Sequence, residues 1–173
     1  MKINAYAKIN LALDITGKRS DGYHTVSMVM QSLTLCDTVT VSVEEGEDEN
    51  AERVSMTCDV PSLPTDERNL CVKAAKKMQE AFEEAGSKSI RIDLKKRIPM
   101  AAGLAGGSAD AAAVMRGIRD LLAVSAGDED LAELAVSLGA DIPYCIFAQG
   151  RIEAGKGTTA LSEGIGEELT FDE

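Results

Sequence analysis

The chain has 173 residues, 45% of them hydrophobic, which is enough to bury a sizeable core and reads most simply as one globular domain. Its formal net charge of −11 argues against partners such as nucleic acid or an anionic membrane, because affinity for phosphate backbones rests on clustered Lys and Arg. Lys2, Asn4, Lys8 and Asn10 interrupt the N-terminal apolar runs and no stretch reaches the length of a membrane span, so a cytoplasmic protein is expected. Cys36, Cys58, Cys71 and Cys145 form no Cys-x-x-Cys pair, and a single histidine accompanies them. Reduced thiols are expected, not a metal centre.

Leu11, Leu13 and Ile15 alternate with polar or small residues, as do Val39, Val41 and Val43, and this period of two predicts strands with one solvated face. Between them, "GKRSDGYH" from Gly17 to His24 carries turn formers and charge and reads as an exposed connection. The acidic run from Glu44 to Glu52 reads as a solvated turn between two strands. From Asp66 onward, Leu70, Ala74, Met78, Ala81 and Phe82 fall on one stripe, predicting a helix that stops at Gly86. Ile90, Ile92 and Leu94 predict the next strand. A second helix is expected from about Ser108 through Val114, Ile118 and Leu121, and a third over Glu129 to Leu138. The following "DIPYCIFAQGRIEAGKG" reads as a strand pair with a glycine-rich return, a hairpin extended over 147–158.

Between the Ile90–Leu94 strand and the second helix stands "PMAAGLAGGSADAAA", Pro99 to Ala113, with three glycines and seven alanines. A strand, a small-residue loop and then a helix aim the unpaired N–H groups of the first helical turn at whatever lies above the loop. Small side chains let an anion approach the backbone, and glycine reaches positive φ without penalty. Ser108 either caps the helix or lends its hydroxyl to a bound magnesium ion, and Asp110 follows in the first turn, where negative charge suits the helix dipole. Neither a Walker A ending nor the G-x-G-x-x-G spacing is present. A plain close-packed connection remains the alternative reading of the loop.

This stretch resembles the Pro-x-x-x-Gly-Leu-(Gly/Ala)-Gly-Gly-Ser loop of the galactokinase, homoserine kinase, mevalonate kinase and phosphomevalonate kinase (GHMP) superfamily, ATP-dependent small-molecule kinases whose loop wraps the nucleotide's phosphates. "AYAKINLALDITGKRSDGYHTV", "RNLCVKAA" and "GADIPYCI" are similar to the branch that phosphorylates a cytidine-diphosphate-linked methylerythritol in non-mevalonate isoprenoid synthesis. The resemblance implies ATP and Mg²⁺ as cofactors. It also implies Asp141 as the catalytic base with Lys8 as its partner, and Pro99, Ala101, Gly103, Leu104, Ala105, Gly106, Gly107 and Ser108 around the ATP phosphates. Asn69 lies near adenine or ribose on this reading, Asn10 at the erythritol or its phosphate, and Tyr23 and His24 at the cytosine. Lys96 and Arg97 either approach the nucleotide or are solvated. Two readings stay open beside this one: a superfamily kinase acting on homoserine or a mevalonate-like alcohol, and a nucleotide-binding chain without catalysis.

The fold implied is α+β: a GHMP-kinase N-terminal domain with a mixed or antiparallel sheet backed by helices and a left-handed βαβ unit. Residues 1–173 are expected to form that one domain. Residues 158–173 would start the connection to a ferredoxin-like second domain absent from this sequence, leaving an open face suited to self-association or to a missing C-terminal segment.

Overall fold

A long antiparallel ribbon begins the chain: β1 (Lys2–Lys18) pairs with β2 (His24–Glu45) from Lys2 opposite Thr40 to Lys18 opposite His24. The computed structural model describes residues 1–18, 24–46, 53–153, 155, 157, 160–163 and 167–170. Ile3, Ala5 and Ala7 alternate inward and are buried. A register shift between Tyr6 and Lys8 then puts two consecutive residues, Ala7 and Lys8, inside. The bulge therefore turns a lysine toward the protein interior where strict alternation would have sent it outward.

Farther along the ribbon the alternation holds but the burial does not. Leu11, Leu13 and Ile15 are exposed, and every residue from Leu11 to Thr16 is open to solvent. A period of two reports that a strand forms; it does not report whether another layer covers its apolar face.

β2 is the central strand. On its other edge, Thr38 to Glu45 pair antiparallel with β4 (Lys88–Lys95), and Ser27 to Met30 pair with β5 (Ala160–Glu163), which pairs in turn with β6 (Glu167–Thr170). β3 (Val54–Cys58) lies outside β4 and parallel to it, at the edge of a mixed sheet of six strands among the described residues. The parallel step requires a crossover, and α1 (Leu70–Ala81) with α2 (Glu83–Gly86) provides it. The predicted single helix to Gly86 is thus broken at Phe82, which takes extended backbone angles and packs against the core.

α3 (Gly106–Leu122) is the central helix, and all ten residues from Ala109 to Ile118 are buried. A helix enclosed on every side needs small residues where it meets other layers. At Gly117 an added Cβ would stand 2.7 Å from the Ile3 Cδ1 and 3.2 Å from the Val41 Cγ2, so glycine lets α3 lie directly on β1 and β2. α4 (Asp128–Ala135) and α5 (Ile142–Glu153) complete the helical layer.

α5 corrects the strand-pair reading of 141–157. Tyr144, Cys145, Ile146, Ala148 and Gln149 are buried, and Pro143 sits in the first turn, where its missing N–H costs no helical hydrogen bond. Packing against α3 and α4 overrides the strand preference of its aromatic and β-branched residues. No helix among the described residues is long and apolar enough to cross a membrane.

Candidate active site

The helix of the glycine-rich stretch starts at Gly106, two residues before the sequence reading, and its N-cap is Ala105, not Ser108. An alanine cap has no side-chain acceptor, so the first-turn N–H groups of α3 are left without a side-chain cap. The loop before it alternates in handedness: Ala101, Gly103 and Ala105 have φ of 55°, 75° and 53°, with residues of negative φ between them. Such alternation gathers successive N–H groups into a concavity suited to an anion. Glycine meets this conformation freely at 103; each alanine pays about 1–3 kcal/mol, a strain that persists only where the surroundings hold it.

The loop floors a cleft of about 490 Å³. Leu63, Pro64, Leu70 and Met100 provide apolar wall, while Asn69, Lys96, Ser108, Asp110 and Asp141 bring polar groups to it. Asn69 is held by two bonds: its Oδ1 accepts from the Cys71 N–H at 2.9 Å, capping α1, and its Nδ2 donates to the Pro64 carbonyl at 2.8 Å.

Asp141 immediately precedes α5, at the mouth of this cleft, and the bulge in β1 brings Lys8 to it: Lys8 Nζ stands 3.2 Å from Asp141 Oδ1. The lysine side chain is 4% exposed and the carboxylate 34%, so the ammonium is sheltered while the acid opens onto the cleft. Lys8 Nζ also donates to Asn10 Oδ1 at 2.9 Å, placing Asn10 in the same cluster. The Lys8 backbone N–H donates to the Leu104 carbonyl at 3.1 Å, tying the glycine-rich loop to the strand that carries the lysine.

A second charged cluster lies behind the loop. Asp37 of β2 accepts the backbone N–H of Ile98 at 2.8 Å, and that of Arg97, on Oδ1. Its Oδ2 accepts from Lys96 Nζ, which also reaches Asp110 Oδ2 at 2.8 Å. All three side chains are almost fully buried. Desolvation pushes the Asp110 carboxyl up to about 7, against the pull of Lys96 and reinforced by the Asp37 charge. Burial opposes the charge on Lys96, but the two carboxylates outweigh it and its pKa is raised. Asp110 Oδ1 is buried without a hydrogen-bond partner among the described residues.

Lys8 therefore touches both Asn10 and Asp141, and Asn69, Lys96, Pro99, Ala101 and Gly103 to Ser108 share one cleft. Lys96 is neither solvated nor pointing freely into the cleft. Tyr23 lies outside the described residues, as does the side chain of His24. The sequence reading missed Asp37, and it gave Asp110 to the helix dipole where burial beside Lys96 accounts for it. The available signal was an acid placed inside a run of alanines, where burial demands a partner. The four cysteines are free thiols; burial pushes those of Cys71 and Cys145 well up, which suits packing and not reactivity.

Residues 69–149, which contain both the loop and Asp141, match the family described as GHMP kinases N terminal domain. A 4-diphosphocytidyl-2-C-methyl-D-erythritol kinase of Clostridium beijerinckii is 48% identical over 170 residues, covering 98% of this chain and 55% of the relative. One of Clostridium tetani is 47% identical with the same coverage. A crystal structure of 4-(cytidine 5'-diphospho)-2C-methyl-D-erythritol kinase superposes with a TM-score of 0.72 at 33% identity, over 98% of this chain and 54% of that one. The chain spans about half the length of the curated relatives it matches. Along nearly all of its own length, in sequence and in fold, the chain is similar to these kinases, and its residues 69–149 match the N-terminal domain of the GHMP kinases.

Proposed function

We propose that this chain carries the nucleotide-binding and catalytic residues of an ATP-dependent kinase that phosphorylates the 2-hydroxyl of 4-diphosphocytidyl-2-C-methyl-D-erythritol, in non-mevalonate isoprenoid precursor synthesis. The observation that carries the reading is the convergence, in one cleft, of an uncapped helix start, a loop of alternating handedness and an open carboxylate paired to a buried lysine. Phosphoryl transfer needs accurate positioning and charge stabilisation more than covalent chemistry from the protein, and these are the elements such a site requires. The names of the matched relatives supply the alcohol.

In the reaction, a carboxylate oxygen of Asp141 takes the proton of the 2-hydroxyl. The hydroxyl oxygen forms a bond to the γ-phosphorus as the bond to the β-phosphate bridging oxygen breaks, and ADP leaves. Lys8 is ion-paired to Asp141 and offers positive charge beside the transferring oxygens. Main-chain N–H groups from Gly103 to Ser108 hold the phosphates, within a nucleotide-binding set that includes Asn69, Lys96, Pro99 and Ala101. Asn10 orients the erythritol; Tyr23 stacks on the cytosine and His24 bonds its polar edge. No group of three His, Cys, Asp or Glu side chains that could hold a metal occurs among the described residues. Ser108 is the residue suited to lend an oxygen to Mg²⁺, an ion that in such sites is held largely by substrate phosphates and neutralises their charge.

An ATP-consumption assay with this alcohol tests the reading. Turnover that is lost in Asp141→Asn supports it; ATP consumption indifferent to that substitution, or to the presence of the alcohol, refutes it.

A further inference from the structure

The buried cluster behind the loop is tied together by its own ion pairs, and its three members come from three different elements. Asp37 belongs to β2, Lys96 follows β4, and Asp110 is the fifth residue of α3. Asp37 grips the main chain at Arg97 and Ile98, just before Pro99, where the loop begins. Lys96 crosses beneath the loop to Asp110, just beyond its end. The crossing depends on Gly106, where an added Cβ would stand 3.1 Å from Lys96 Nζ and 3.0 Å from the Ile98 Cγ2. Between the two gripped ends lie Ala101 and Ala105 in left-handed backbone, a conformation that alanine keeps only when its surroundings over-determine it.

We infer that Asp37, Lys96 and Asp110 form a positioning clamp that fixes both ends of the glycine-rich loop, so that Lys96 serves the nucleotide through the loop's shape and not by touching phosphate. The side-chain exposure of the lysine is 7%, and the two carboxylates that bind it are held more deeply still, at 0% and 2%. The clamp deepens the proposed function, on whose nucleotide site its consequence for affinity rests.

The test compares the full chain with Asp37→Asn and Asp110→Asn, which keep side-chain size and replace one carboxyl each by an amide. Amide hydrogen exchange of a peptide covering 97–109 is followed without ligand, ADP binding is measured by calorimetry, and KM is determined separately for ATP and for the alcohol. The clamp predicts exchange at least tenfold faster in Asp37→Asn, ADP binding and the KM for ATP weakened at least tenfold, and the KM for the alcohol unchanged. Asp110→Asn shifts the same three quantities in the same pattern by several-fold. Exchange and ADP affinity within twofold of the parent in both variants would overturn the clamp. So would tighter ADP binding with unaltered loop exchange, the signature of a lysine released to bind phosphate directly. If Asp37→Asn does not fold, Asp110→Asn decides alone, since it keeps the Lys96–Asp37 pair and the bonds to Arg97 and Ile98. If the parent chain binds no ADP, the nucleotide reading fails while loop exchange still decides the clamp.

Discussion

Two lysine–aspartate clusters flank the glycine-rich loop, and they differ in one respect above all. At Lys8 and Asp141 the acid is a third exposed and faces the cleft; at Asp37, Lys96 and Asp110 no side chain is more than 7% exposed and the charges are engaged with one another. The same residue types thus serve opposite ends. An open carboxylate can exchange a proton with a ligand, whereas a sealed one can only hold what it already touches. Desolvation also makes the second cluster the costlier to disturb, because removing one partner strands a charge that water cannot reach.

The sharpest way to break this contrast is to neutralise one acid in each cluster. Asp141→Asn is expected to lower kcat by about 10²–10⁴, the usual worth of a positioned base, while the thermal midpoint measured by circular dichroism stays where it was. Lys96→Met is expected to do the reverse kind of damage, costing about 3–5 kcal/mol in urea unfolding because two carboxylates are left buried together.

A smaller effect comes from pH. The Asp110 carboxyl sits at about 7 in the folded protein against an ordinary value of 3.8, so between these values the folded state binds more protons than the unfolded one. Its contribution to stability is full below about 4 and is lost as pH rises through about 7. Urea midpoints measured across that range should fall with pH in the parent and fall less steeply in Asp110→Asn. Smallest of all is the change expected at Arg68 and Asp66, a bidentate pair in the loop before α1 that is open to water on both sides. Arg68→Ala should leave the melting temperature unchanged within error, since solvent screens such pairs.

Much of this was legible from residue order. The Ile90–Leu94 alternation lies in its expected strand and the Leu70–Ala81 part of the stripe in its expected helix, while Phe82 falls in the break and the small-residue loop becomes helix at Gly106. What escaped depends on contacts between distant segments. The helix at Ile142–Glu153 read as strand because its aromatic and β-branched residues prefer strands, and only burial against α3 and α4 decides otherwise. Leu11, Leu13 and Ile15 carry the pattern of a covered face that no layer covers among the described residues. The proximity of Lys8 to Asp141 followed from resemblance, but the bulge that produces it leaves no mark in hydropathy, because one extra residue in a strand looks like any other. Asp37 escaped for a related reason: its partners lie 59 to 61 positions away.

The bond from the Lys8 amide to the Leu104 carbonyl joins backbone to backbone. Every side-chain replacement at either position, proline at 8 excepted, leaves donor and acceptor in place, so a scanning library would report those two sites as independent when they are mechanically one. Only chemistry that edits the peptide group itself, an ester in place of the amide at residue 8, would uncouple them and reveal whether strand and loop move as a single unit.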